Sequence, residues 1–183
     1  AEIGDRVQIR DARIEDGRIV LEVLQVGPDD GMCCPSQLAR RTFAMQDGEL
    51  VETATVVIGT ASLATLEGRE WVLSKFSSTE AAPTEPEITL TVEGDRVSGS
   101  SGCNTYNGTI AEGETPTNVT VGPLMTTRMA CPPEVMSLEQ RYTAALQGAE
   151  SWGYRLGHLV INYQQGDTWG SLFFEGREPM PGS

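Results

Sequence analysis

Turn signals recur about every 8 to 12 residues along this chain, and most segments between them alternate apolar with polar residues. That pattern predicts a β-dominated fold. Val7 to Ile14 alternates through Val7, Ile9 and Ala12, and Asp16-Gly17 follows as a hairpin turn. Arg18 to Val26 is the return strand, with Ile19, Leu21 and Val23 on one face. Gly27-Pro28-Asp29-Asp30-Gly31 is a loop, and Arg41 to Met45 pairs with Leu50 to Val57 across Asp47-Gly48. Ala61 to Gly68 has no strong period and marks a junction. The expected organisation is a β-rich module at 1–66, a second module at 67–177 and a loose tail at 178–183, where Pro and Gly concentrate.

The second module opens with Trp71-Val72-Leu73. Thr79 to Pro86 is an exposed Pro- and Glu-rich loop. Ile88, Leu90 and Val92 alternate strictly before the turn at Glu93-Gly94-Asp95. Gly99 to Gly108 is a Gly-, Ser- and Asn-rich segment, Val119 and Val121 mark a strand, and Leu124 to Met129 is a candidate for another. Pro132-Pro133 starts the one clear helix, about 133–148, because Pro is tolerated in a first turn and Glu134 suits the positive helix end. Val135, Leu138, Tyr142, Ala145 and Leu146 give that helix an apolar face, and Gly148 stops it. Trp152–Leu156, Leu159–Tyr163 and Trp169–Phe174 are the closing strands. The class is α+β.

Charge narrows the partners. With 26 acidic against 13 basic residues, net charge is −13, and Arg40-Arg41 is the sole arginine pair. A phosphate-binding surface needs clustered cations, so nucleic acid and anionic membranes are disfavoured, while cationic partners stay open. No run approaches the roughly 18 apolar residues of a membrane-spanning helix. The chain begins at Ala1 in polar sequence, and a leader or lipid anchor removed upstream of Ala1 is expected.

Hydrophobic residues make up 39 %, enough for a core but not a generous one, so covalent staples would help. Four cysteines allow three pairings. Cys103 with Cys131, within one module, is preferred over a pair of buried thiols. For the adjacent Cys33 and Cys34, a vicinal disulfide, free thiols and separate partners are all open, and Pro35 biases Cys34 away from helix.

Catalytic patterns are missing. A Ser-His-Asp or Cys-His site would have to use His158, the single histidine, which falls at a tight turn where an exposed residue is expected. The same scarcity argues against zinc. There is no Gly-x-Ser-x-Gly elbow and no phosphate-cradling glycine loop. Glu15-Asp16 and Asp29-Asp30 read as solvated turn acids, with calcium at Asp29-Asp30 a minor alternative. Asn107 and Asn118 head short glycosylation patterns. Tryptophans and tyrosines at alternating positions read as core, with Tyr106 the candidate exception for ligand contact. No enzyme, metal or cofactor is expected.

Two motifs carry a family resemblance. Gly102-Cys103-Asn104-Thr105-Tyr106-Asn107-Gly108 and Thr126-Thr127-Arg128-Met129-Ala130-Cys131 resemble the signature elements of META/HslJ-like domains, in the family's order, over about residues 67–177. Trp71, Leu73, Glu139, Tyr142, Leu172 and Phe174 fall in matching order. The resemblance implies a curved, mostly antiparallel sheet with one helix packed on it, an envelope or secreted location (periplasm included), and links to stress and secretion. It defines no catalytic residues. Gly102 and Gly108 are expected to supply permissive backbone, Asn104 a turn cap, and Cys103 a tether to Cys131. Asp16-Gly17-Arg18-Ile19-Val20 followed by the run from Gly27 to Ser36, with its Met32-Cys33-Cys34-Pro35, resembles an uncharacterised segment of bacterial envelope lipoproteins and secreted proteins. The expected function is a non-enzymatic envelope module that binds a protein or a small hydrophobic ligand. A thiol-redox protein using Cys33-Cys34, and an enzyme inhibitor presenting Pro83-Thr84-Glu85-Pro86, are the alternatives.

Overall fold

The computed structural model describes residues 3, 4, 6–28, 30, 31 and 34–178. Its first sheet is organised by two Asp-Gly turns. Asp16 and Gly17 have φ of 49° and 73°, and Asp47 and Gly48 have 51° and 85°. Two consecutive positive φ values match the right-handed twist of the flanking strands. The turns join β1 (Gln8–Glu15) to β2 (Arg18–Gln25) and β3 (Gln37–Gln46) to β4 (Glu49–Thr60), in the antiparallel order β1-β2-β3-β4. β3 starts earlier than alternation suggests because Gln25 pairs with Gln37. β2 is buried on both faces. Leu21 and Val23 pack with Ala39 and Phe43, whereas Leu24 joins Leu38 in the main core.

Residues 61–68, where the junction is expected, are partly ordered and packed. Leu63–Leu66 forms a single 3₁₀ turn with Leu63 and Leu66 buried, and the Trp71 indole N–H donates to the Leu66 carbonyl at 2.9 Å.

The second sheet has nine strands: β5 (Glu70–Lys75), β6 (Thr89–Glu93), β7 (Arg96–Ser100), β8 (Thr105–Glu112), β9 (Val119–Val121), β10 (Met125–Thr126), β11 (Ala149–Arg155), β12 (His158–Gln165) and β13 (Thr168–Arg177). Their order is β10-β8-β7-β6-β5-β13-β12-β11, with β9 also on β8. Asn118 bridges Ser151, and the Trp152 N–H donates to the Thr117 carbonyl at 2.9 Å, so the sheet curls into a nearly closed barrel. Helix α1 (Pro133–Gln147) buries Tyr142, Ala145 and Leu146 in the core with Trp71, Leu90, Leu172 and Phe174. The Gly- and Asn-rich stretch at 99–108 is mostly strand, the end of β7 and the start of β8 around a turn at 101–104, and only Met125–Thr126 of 124–129 is strand. Trp71 and Trp152 are core, but Trp169 is exposed. Residues 179–183 of the expected tail lie outside the described residues.

The β11–β12 turn is Leu156-Gly157, with φ of 50° and 85°. A leucine in the left-handed region costs on the order of 1–2 kcal/mol, and Leu156 is 76 % exposed, so packing does not repay it. Leu156→Asn is expected to stabilise the protein by about 1 kcal/mol, read as a raised unfolding midpoint in urea at unchanged m-value. The same turn docks on the first sheet: the Gly157 N–H donates to the Ile9 carbonyl at 3.0 Å, and the Tyr154 N–H to Gln8 Oε1 at 2.7 Å.

Charge pairing concentrates on the first sheet. Glu22 reaches Arg40 at 2.9 Å, Arg13 at 3.4 Å and Arg10 at 3.8 Å. Partial burial raises its pKa, but the Arg40 hydrogen bond and the three guanidinium charges outweigh that and leave it below the ordinary carboxylate range. Glu52 is lowered in the same direction by its bond to Arg41. A depressed folded-state pKa contributes stability that is present above the unfolded value of about 4.3 and is lost as pH falls through the folded one. Urea titrations from neutral pH downwards are therefore expected to show stability falling below about pH 4.5, and Glu22→Gln to flatten that fall.

Candidate functional site

Residues 125–131 form a strap over the open side of β8. Met125 is 67 % exposed and Met129 58 %, and Arg128 between them is exposed, with no ion pair among the described residues. The strap contributes little to the core, yet it is held at several points. Its strand residues Met125 and Thr126 pair with Asn107 and Tyr106. The Thr127 N–H donates to the Thr105 carbonyl at 3.1 Å, and the Thr105 N–H to Thr127 Oγ1 at 3.2 Å. The Asn104 side-chain oxygen then accepts both the Thr127 hydroxyl (2.8 Å) and the Met129 N–H (2.7 Å). At the end of the strap Cys131 is bonded to Cys103, with Cα atoms 6.0 Å apart.

What holds Asn104 lies beneath. Glu139, on α1, is 8 % exposed. Its Oε1 accepts the Asn104 side-chain N–H at 3.0 Å, and its Oε2 accepts the Asn104 backbone N–H at 2.9 Å and the Ser101 hydroxyl at 2.7 Å. Three donors thus converge on one buried carboxylate, the condition for burying such a group at tolerable cost. Asn104 is more than a turn cap: one end of its amide faces the helix and the other faces the strap.

Tyr106, the candidate exception for ligand contact, is 2 % exposed. Its hydroxyl donates to the Thr89 carbonyl at 2.9 Å and lies 2.8 Å from the Tyr142 hydroxyl. Burial pushes both phenols well above their ordinary pKa, so both stay protonated. The ring pair, with centroids 5.7 Å apart, is core and not a binding platform. Gly102 has φ of 102°, which L side chains resist. Gly108 does not. A side chain there would put its Cβ 2.7 Å from Leu124 Cδ2 and 3.2 Å from the Pro123 carbonyl oxygen, so its role is the close approach of the chain leading into the strap.

The other singled-out residues lie elsewhere. His158 opens β12, half-buried, with Nε2 3.2 Å from Glu175 and its ring against Phe173. Asp30 is a loop staple: its carboxylate accepts the Ser36 hydroxyl at 2.5 Å and the Gly27 and Ser36 N–H groups at 2.7 Å, which hold it below the usual carboxylate range. Asp29 and Cys33 lie outside the described residues, and with them any statement on a Cys33–Cys34 bond. Cys34 is disulfide-bonded. It lines a cleft of about 500 Å³ between the two sheets, together with Gln8, Pro35, Asn162 and Ser171. The loop before Pro86 is tied back, since Glu80 chelates Arg141 and Arg141 stacks 4.1 Å above the Phe76 ring, while Pro83, Thr84 and Glu85 are exposed. Among the described residues no three His, Cys, Asp or Glu side chains gather as a metal site, and no helix is long and apolar enough to cross a membrane. Two buried polar atoms on β11, Trp152 Nε1 and the Tyr154 hydroxyl, have no hydrogen bond of ordinary geometry among the described residues, although the Arg10 charge and weak contacts from Thr65 and Arg10 partly offset the rise that burial imposes on the Tyr154 pKa.

Sequence reasoning placed Glu139 in order along the chain but assigned it no role. The available signal was its position: Glu139 follows Leu138 and precedes Tyr142 by one helical turn, an acid on the apolar stripe.

The model of the META domain family matches residues 64–173. A protein from Burkholderia xenovorans, solved by NMR, is similar in structure, with a TM-score of 0.50 and 27 % sequence identity, covering 64 % of this chain and 87 % of that one. No curated protein matches the chain.

Proposed function

The chain belongs to the META domain family, and from that membership we propose that it is a non-enzymatic, extracytoplasmic binding module of two parts, residues 1–66 and 67–177, whose strap at 125–131 is the recognition element. One observation carries this reading: a disulfide and the Asn104 side chain pin a segment whose methionines face solvent. Fixing a loop before it binds lowers the entropy lost on association. Exposed Met side chains adapt to varied apolar surfaces, and Arg128 between them adds a cation that a partner carboxylate or aromatic ring can meet. The polar groups that cluster in the domain point to scaffold and not chemistry, because both Glu139 oxygens are already engaged by donors and the two buried phenols stay neutral. An oxidising compartment is supported by the Cys103–Cys131 bond.

The test is site-directed photocrosslinking in envelope extract. A benzophenone amino acid at position 129 is expected to give a discrete adduct that the same probe at exposed Asp167 does not, and Arg128→Glu is expected to abolish it. Equal adducts at both positions, or an adduct indifferent to Arg128→Glu, would overturn the proposal.

A further inference from the structure

We propose that β4 is a self-pairing edge, and that two copies of this chain associate through antiparallel β4–β4 contact into a two-fold dimer. β4 is the outer strand of the first sheet, and the last eight of its twelve residues are exposed. Val56 and Val57 are each 56 % exposed, and Ile58 is 40 %. Thr53-Ala54-Thr55-Val56-Val57-Ile58 is uncharged, rich in β-branched residues and free of Pro and Gly, the composition that pairs most readily at an open edge. The opposite edge differs. β1 is covered by the Gly157 N–H on Ile9 and by the Gln8–Tyr154 contact.

Charge placement favours a second copy. The whole chain carries −13, but the edge does not. With the two-fold between Thr55 and Val56, antiparallel pairing sets Thr53 against Ile58, Ala54 against Val57, and Glu52 of one copy against Gly59 of the other. No acid meets an acid, and Glu52 is already bonded to Arg41 within its own chain. Bulges at Thr53 and Ile58, where the register with β3 shifts, confine the regular stretch to Ala54–Val57. An isologous contact of that length consumes the edge of both copies, and with β1 covered the assembly closes at two. Net repulsion between two acidic chains opposes the contact, so added salt should strengthen it.

Sedimentation velocity on the full chain across the micromolar range, at low and high salt, tests this. The expected result is a concentration-dependent species of twice the 19.7 kDa monomer mass, strengthened by salt and weakened at least tenfold by V56K/V57K. Hydrogen exchange of the unsubstituted chain should show protection at 54–57 rising with concentration. A monomer at every concentration in high salt, a dimer indifferent to V56K/V57K, or protection at 54–57 that arises only on adding a foreign β-strand peptide would overturn the proposal.

Discussion

Replacing Cys103 and Cys131 by serine is expected to lower the unfolding free energy by about 3–4 kcal/mol. The bond spans a sequence separation of 28, and closing a loop of that size removes chain entropy from the unfolded state between the roughly 3 kcal/mol of a 15-residue loop and 4.7 kcal/mol of a 100-residue one. For a chain of this size that corresponds to a fall in melting temperature of roughly 10 °C. The serine variants separate this bond from the disulfide at Cys34, which a reductant would attack as well. Thermal melts with and without the substitutions read the effect directly, and a loss below about 1 kcal/mol would mean that the barrel holds its turn and strap without the covalent link.

Glu139→Ala is expected to cost as much, about 3–5 kcal/mol, by a different route. Truncation leaves the Asn104 backbone N–H, the Asn104 amide and the Ser101 hydroxyl without their carboxylate in a site shut off from water. Glu139→Gln keeps the volume but aims an amide N–H₂ at one of these donors, and should cost about 1–3 kcal/mol. Glu134→Ala, five residues earlier on the same helix and exposed, should stay within about 0.5 kcal/mol. If Glu139 acts through Asn104, the double variant with Asn104→Ala will cost clearly less than the sum of the singles. Additive losses in urea denaturation would dissociate the two.

The contrast between these residues shows what a single sequence can reveal. Asp16-Gly17 and Asp47-Gly48 were legible as turns because that dipeptide tolerates two positive φ values in a row. The helix was legible because Val135, Leu138, Tyr142 and Leu146 keep its period within one short segment. β8 was not, because Gly, Ser and Asn dilute local strand preference, and its ladder to β7 and β10 comes from residues outside the segment. At residues 61–68 the sequence shows no period, and the burial there was not legible for a related reason: two leucines suffice to plug the core once the fold brings Trp71 over them. Leu24 escaped because β2 is buried on both faces, which alternation does not report. At the site, Cys103, Cys131, Gly102 and Asn104 stood out as a motif, and the turn and tether roles could be inferred. Glu139 could not be ranked among 26 acids, since its partners lie 35 and 38 residues away and only the tertiary fold brings them to it. Tyr106 stood out both as part of the motif and as the candidate exception for ligand contact, because polar neighbours in sequence say nothing of the Tyr142 and Thr89 groups that enclose it.

Hydrogen exchange resolved by residue tests the central claim, that the buried Asn104–Glu139 pair exists to hold an exposed strap in one shape. In the unsubstituted protein the Thr127 and Met129 amides should exchange slowly despite their exposed surroundings, because both are donated to acceptors on the β8 side. Asn104→Ala should release the Met129 amide to near-unprotected rates while amides of β11 to β13 keep their protection. Fast exchange of Met129 in the unsubstituted protein, or loss of protection across the whole barrel in step with the strap, would contradict it.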